Sequence, residues 1–108
     1  MTVSSLLNNG FSAVTLPNKE REVNGVYIGD LLSWVMSSAE CDNAWITIMS
    51  NINVVAVASL VDVACIILAE GVTLDQEVSE QAQAKGINVL STEMTAYQTA
   101  KALSELGL

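Results

Sequence analysis

The sequence predicts an α/β domain, and two observations lead to this fold class. Three short apolar runs of strand composition, at 45–49, 65–69 and 87–90, alternate with segments of helical periodicity. Of the 108 residues, 51% are hydrophobic and 15% are charged, which is too apolar for disorder and enough for one core. We therefore expect a single domain over 1–108, with the three runs as adjacent parallel strands joined by right-handed crossovers.

The sequence of the N-terminal part predicts two helices and two strands. Apolar residues at helical spacing indicate a short helix over 3–7, which ends at a turn. Strands are predicted at 11–16 and 23–28, on either side of a charged loop that contains the single proline. A helix follows over 30–39, and we expect the side chain of Asp30 to cap its first turn.

The remaining helices connect the three predicted strands. The segment 52–61 has strand propensity, but a crossover between parallel neighbours needs about a dozen residues, usually a helix, so we predict a buried helix there. The next helix begins at a capping-box-like sequence over 73–76 and ends at Gly86. The last helix begins at Thr95 and ends before Gly107.

The charge balance excludes several classes of function. Twelve acidic side chains stand against four basic ones, and with no histidine the net charge at pH 7 is −8. Such a chain repels nucleic acid and anionic membranes, so we expect neither as a partner. The absence of histidine excludes Ser-His-Asp, Cys-His and two-histidine metal chemistry. Lys19 and Arg21 alternate with Glu20 and Glu22, which cancels most of their field.

The sequence also indicates where the protein works. Cys41 and Cys65 are far apart and form no CxxC pair, so both are predicted to be free thiols. Residues 1–5 lack a cationic segment followed by an apolar stretch, so no export signal is predicted. The apolar segment 52–69 contains Asp62, which favours a buried core over a membrane span. We expect a cytoplasmic protein.

Several stretches of the chain resemble the small stand-alone DRTGG-domain proteins. They are Gly29-Asp30-Leu31-Leu32-Ser33-Trp34-Val35-Met36, Ala44-Trp45-Ile46-Thr47-Ile48, Asn53-Val54-Val55-Ala56-Val57-Ala58-Ser59-Leu60, Gly86-Ile87-Asn88-Val89-Leu90-Ser91-Thr92 and Thr95-Ala96-Tyr97. The resemblance covers nearly the whole chain. It implies a swivelling β/β/α domain, with a small N-terminal β layer beside a parallel sheet flanked by helices. Because related domains sit beside CBS domains and in phosphotransacetylases, it also implies a regulatory or ligand-sensing role.

The family domain is similar to the N-terminal domain of HPr serine kinase, but the sequence argues against kinase activity. The chain has no Gly-x-x-x-x-Gly-Lys-Ser/Thr loop to hold phosphates. The Asp-Arg-Thr-Gly-Gly motif itself is absent, since the region after 45–49 reads Ser50-Asn51-Ile52-Asn53. We therefore expect a non-catalytic regulatory or ligand-sensing module. A structural or accessory subunit is the alternative, and an enzyme that uses carboxylates or a thiol is a third.

Three polar loops follow the predicted parallel strands and form the candidate site. In such sheets, ligands bind outside the carboxyl ends of the strands. The candidate ligand-binding residues are Ser50, Asn51, Asn53, Glu70, Ser91, Thr92 and Thr95. A small polar metabolite or nucleotide is the expected ligand, although the same residues would also serve simply to cap the following helices. No cofactor or metal is predicted, because Asp30, Glu70 and Glu93 match no known metal-binding loop.

The predicted helix over 30–39 is too apolar for one buried stripe. Five of its residues are large and apolar, namely Leu31, Leu32, Trp34, Val35 and Met36. Trp45, Met49 and Met94 are expected to add further interface surface, as tryptophan and methionine are enriched there. We therefore predict a homodimer. The alternatives are a protein partner, or packing of Trp34 under the N-terminal β layer.

Overall fold

The computed structural model describes all residues from 1 to 108 and contains one five-stranded sheet. Its strands are β1 (Ser12–Thr15), β2 (Val26–Ile28), β3 (Ala44–Thr47), β4 (Cys65–Leu68) and β5 (Val89–Ser91). Its helices are an N-terminal 3-10 helix (Val3–Asn8), α1 (Leu32–Ser38), α2 (Ile52–Val61), α3 (Gln76–Ala84) and α4 (Ala96–Glu105). None of these helices has the length and apolar character that crossing a membrane requires.

The strand order is β1-β5-β4-β3-β2, which confirms the predicted α/β fold class. Strands β3, β4 and β5 are adjacent and parallel, as expected from 45–49, 65–69 and 87–90. The two N-terminal strands do not form a layer of their own. Instead, β2 extends the sheet as a parallel edge, and β1 pairs with β5 as an antiparallel edge.

Apolar side chains fill a core on each face of the sheet. Successive residues of a strand point to opposite faces, so Trp45 and Ile66 belong to one core while Ile46 and Ile67 belong to the other. Helices α1, α2 and α3 cover the first face, and the 3-10 helix and α4 cover the second. The segment 52–61 is a helix, as predicted, with four buried residues.

Several helix starts differ from the sequence-based expectation. Asp30 does not cap α1, because its carboxylate accepts hydrogen bonds from the Thr47 hydroxyl at 2.8 Å and the Ile48 N–H at 3.0 Å. Helix α3 begins at Gln76 with no side-chain cap, so the capping box predicted over 73–76 does not form. In α4 the predicted cap is confirmed, since Thr95 forms a full capping box.

Trp45 was expected on an interface, but the structure buries it completely. Its ring N–H donates to the Gly29 carbonyl oxygen at 2.9 Å, which satisfies the one polar atom of the indole. Trp34 shows the opposite behaviour and remains 68% exposed, so it does not pack beneath any N-terminal strand. The surface that Trp45 was predicted to provide is therefore absent.

Arg21 connects the loop after β1 to the segments that precede β3 and β4. Its guanidinium donates to Asp42 Oδ1 at 2.7 Å, to Asp62 Oδ1 at 2.8 Å and to the Asp62 carbonyl oxygen at 2.7 Å. Asp42 and Asp62 both adopt positive φ angles, near +67° and +66°. The hydrogen bond and the charge of Arg21 lower the pKa of Asp62.

We predict that Asp62→Asn destabilises the protein at neutral pH but not in acid. Asparagine tolerates the positive φ of this position, so the substitution removes mainly the carboxylate. A carboxyl whose pKa is lowered by folding stabilises the folded state above its unfolded pKa and loses that contribution as the pH falls through the folded pKa. Urea unfolding should therefore show a difference from wild type at pH 7 that shrinks below about pH 4.

Glu40→Gln is the control for this experiment. Glu40 lies in the loop before β3 that also contains Asp42, and its side chain makes no hydrogen bond or ion pair within the chain. We expect it to match wild type at both pH values. A difference for Asp62→Asn that stays constant from pH 7 to pH 3 would contradict an ion-pair origin.

Candidate functional site

The structure has one cleft, with a volume of about 330 Å³, at the β1–β5 edge of the sheet. It lies between the end of the 3-10 helix, the start of β1 and the loops that follow β4 and β5. Its lining residues are Asn9, Gly10, Ser12, Gly71, Val72, Thr73, Ser91, Thr92, Glu93 and Met94. Glu93 is the only charged residue among them.

The pairing of β1 with β5 forms one wall of the cleft. Ser12 and Ser91 are directly opposite each other in the antiparallel register, so their side chains lie on the same face of the sheet. Neither hydroxyl forms a hydrogen bond within the chain, and the same is true of Thr73. The cleft therefore presents hydroxyl groups that are free to bind a ligand.

A tight turn after β4 forms the opposite wall. Glu70 and Gly71 both have positive φ angles, and the Val72 N–H donates to the Ala69 carbonyl oxygen at 3.1 Å, as in a type I′ turn. The Gly71 N–H donates to the Thr92 carbonyl oxygen at 2.9 Å, which fixes the turn to the loop after β5. Gly71 also leaves room for Glu93, whose Oε2 would lie 2.5 Å from a Cβ atom at this position.

The loop after β5 is held by Thr92, which is buried. Its N–H donates to the Leu68 carbonyl oxygen at 2.9 Å, and its hydroxyl accepts from the Met94 N–H at 3.2 Å. These bonds position Glu93 at the mouth of the cleft, with its carboxylate exposed. The chain brings no cluster of three or more His, Cys, Asp or Glu side chains together for a metal ion.

The structure places two of the seven predicted site residues in the cleft. Ser91 and Thr92 line it, and Glu70 belongs to the adjoining turn. The other four, Ser50, Asn51, Asn53 and Thr95, are not among the lining residues. Two of these cap helices: the Asn51 side chain accepts from the Asn53 N–H at 2.9 Å, and Thr95 caps α4.

Three cleft residues, Asn9, Gly10 and Ser12, lie outside the loops that the sequence predicts as the site. In the sequence, the turn pair Asn9-Gly10 indicates only the end of a helix. These residues reach the cleft because β1 pairs with β5, which lies more than 70 residues away along the chain. No local pattern in the sequence indicates that pairing.

We predict that Gly71→Ala and Gly86→Ala lower the free energy of unfolding by similar amounts, but that only Gly71→Ala changes the position of the Glu93 side chain at the cleft. Both glycines have φ near +70°, which costs other residues about 1 to 2 kcal/mol. An added Cβ meets nothing within 4 Å at Gly86, whereas at Gly71 it displaces the end of the flexible Glu93 side chain. Urea unfolding measures the stability loss, and NMR shifts of the Glu93 side chain should change in Gly71→Ala alone. An unmoved Glu93 signal in that variant would contradict this packing.

Comparison with known proteins gives a family and a structural neighbour. The family profile of the DRTGG domain matches residues 13–106. A crystal structure of the CBS and DRTGG domains of the regulatory region of Clostridium perfringens pyrophosphatase, complexed with its activator diadenosine tetraphosphate, is similar with a TM-score of 0.72 and 14% identity. The match covers 93% of this chain but 44% of that one, so this chain spans less than half of that structure.

No curated protein sequence matches the chain. At 14% identity the pyrophosphatase region shares a fold with this chain, and the family match covers most of the residues. This chain therefore belongs to the DRTGG domain family.

Proposed function

We propose that this chain is a regulatory, ligand-sensing module without catalytic activity of its own, and that a small polar metabolite or nucleotide binds in the cleft. The observation that carries the proposal is the cleft itself, where unpaired hydroxyl groups from β1, β5 and the loop after β4 converge. The regulatory role of the structurally similar pyrophosphatase region, which was crystallised with a nucleotide activator, supports this function.

The chemistry of the titratable groups supports a role without catalysis. Burial raises the pKa of the Cys65 thiol to about 12, so this thiol stays protonated at neutral pH. Desolvation and the carboxylates of Asp42 and Asp62 raise the pKa of Cys41. Glu93 has no second carboxylate or other charged side chain beside it in the cleft. The Cys41 thiol donates to Asp62 Oδ2 at 3.6 Å, but Arg21 lowers the pKa of this carboxylate and so makes it a weak base for activating a thiol. We also propose a cytoplasmic location, because both cysteines are free thiols and thiols stay reduced in the cytoplasm.

A ligand in the cleft would contact segments that are distant along the chain. The residues from 9 to 12 meet those from 71 to 73 and from 91 to 94 only in the folded protein. A ligand that bridges them binds the native state and not the unfolded chain, and so it stabilises the fold by mass action. The same contacts would transmit the presence of a ligand to β1, which is an edge strand.

We predict that at least one compound from a panel of nucleosides, nucleotides, NAD(H), acyl phosphates and organic acids raises the melting temperature. At about 100 times its Kd, such a ligand adds about 2.7 kcal/mol to the free energy of unfolding. Ser12→Trp, which fills the cleft from an exposed edge strand, should abolish the increase. Ala13→Trp is the control, because the neighbouring side chain points to the other face of the strand. An increase that persists in Ser12→Trp would place the site elsewhere.

We also propose a homodimer, because exposed apolar residues cluster around α1 and the end of β2. Ile28, Leu31 and Trp34 are 47%, 60% and 68% exposed. Ile48, which is 48% exposed, adjoins this segment because its N–H donates to Asp30. Strand β2 forms an open edge of the sheet, so the surface offers both apolar area and backbone groups. Closed two-fold dimers are the commonest soluble oligomers.

We predict that Trp34→Glu converts this dimer to a monomer. A charge at the centre of the apolar surface is costly to bury, while at an exposed position of the free chain it costs little. Tyr97→Glu is the matched control, since Tyr97 is 75% exposed on α4, which covers the opposite face of the sheet. Sedimentation should give twice the chain mass of 11.5 kDa for wild type and Tyr97→Glu. If the wild-type chain is a monomer at every concentration, the homodimer is wrong, and the exposed apolar surface is assigned to contact with a different protein.

A further inference from the structure

We infer that the cleft selects an uncharged ligand that carries a vicinal diol, such as the ribose of a nucleoside, and disfavours phosphate groups. This inference rests on the proposed function, because it specifies the ligand class of the same cleft. Three features of the lining lead to it: the turn after β4 has no free backbone N–H group, the one charge is negative, and the free side-chain groups are hydroxyls.

The turn after β4 has no free N–H group to hold an anion. Proteins without a nearby cation hold phosphate with free backbone N–H groups at turns and helix starts. Here the N–H groups of Asn9, Gly71, Val72, Thr92 and Met94 donate within the chain. The N–H groups of Gly10, Thr73 and Glu93 have no acceptor in the chain, but they belong to three separate segments of the lining. The N–H of Glu70, in the adjoining turn, donates to the Met94 carbonyl oxygen at 2.8 Å. The turn after β4 therefore uses its donors to join the loop after β5.

The negative charge of the cleft also disfavours the binding of a phosphate group. Glu93 is the only charged residue of the lining, and no lysine or arginine accompanies it. Arg21 is held by Asp42 and Asp62, which precede the strands, whereas the cleft loops follow β4 and β5. A phosphate in the cleft would face a carboxylate with no cation between them, and like charges at such a distance repel each other.

The same carboxylate is suited to bind a diol. A carboxylate accepts hydrogen bonds and cannot donate them, and an acidic side chain is a common partner of ribose hydroxyls in nucleotide-binding folds. The paired hydroxyls of Ser12 and Ser91 donate or accept as the ligand requires. Val72 and Met94 supply the apolar part of the lining, against which a flat base can pack. A cleft of about 330 Å³ lies at the lower end of the range for small-molecule sites.

Calorimetric titration of the full chain with adenosine, AMP and diadenosine tetraphosphate tests the inference. We expect adenosine to bind, and AMP to bind about tenfold more weakly in low salt, with a smaller difference at physiological salt. Glu93→Gln should weaken adenosine binding and bring the two affinities together, because it removes both the diol acceptor and the negative charge. Glu105→Gln, at the end of α4 and outside the lining, should behave as wild type.

The outcomes separate this inference from the proposed function. If AMP or diadenosine tetraphosphate binds more tightly than adenosine, and Ser12→Trp abolishes that binding, the inference is overturned while the proposed function stands. The same holds if the cleft binds only compounds without a diol, or if Glu93→Gln leaves the ratio of affinities unchanged. If no compound of the wider panel binds to the wild-type chain, both are overturned.

Discussion

Burial of the two central strands on both faces is the constraint on which the rest of this structure depends. Every residue of β3 and β4 is buried, from Ala44 to Thr47 and from Cys65 to Leu68. A strand that is apolar on both faces needs a cover on each side, and the helices supply it. Because β3 and β4 are parallel, their connection must cross the sheet, and α2 fills that connection with valine and alanine side chains. The two N-terminal strands, β1 and β2, therefore lie at the two edges of the sheet.

This constraint explains how much of the fold could be predicted from the sequence. The runs at 45–49 and 65–69 indicate buried strands directly, and the crossover requirement decides between strand and helix for 52–61. The sequences of the N-terminal strands do not indicate which strands they pair with. Strand β2 has only three residues, and β1 finds its place through contacts with distant residues: Thr15 donates to the Ile87 carbonyl oxygen at 2.7 Å, and buried Asn88 bonds the backbone of Asn18. Local patterns report propensity, and they do not report such pairings.

The candidate site, like the fold, could be predicted only in part from the sequence. Ser91 and Thr92 follow from the rule that ligands bind beyond the carboxyl ends of parallel strands. That rule treats all three loops alike, however, and it includes Asn51, whose side chain is used to cap α2. The loops differ because β1 lies beside β5 and brings Ser12 and the end of the 3-10 helix to that edge alone. The cleft thus depends on the one antiparallel pairing of the sheet.

The charged residues Arg21 and Glu93 lie at opposite ends of the parallel strands. Arg21 joins residues that precede β3 and β4, while Glu93 follows β5. A four-residue strand spans about 13 Å, which exceeds the screening length of about 8 Å at physiological salt. Arg21, already paired with two carboxylates, therefore cannot offset the charge of Glu93. The pyrophosphatase region that was crystallised with a tetraphosphate activator contains a CBS domain besides its DRTGG domain. A phosphorylated ligand in the present cleft would have to direct its phosphates towards solvent or bring its own cation.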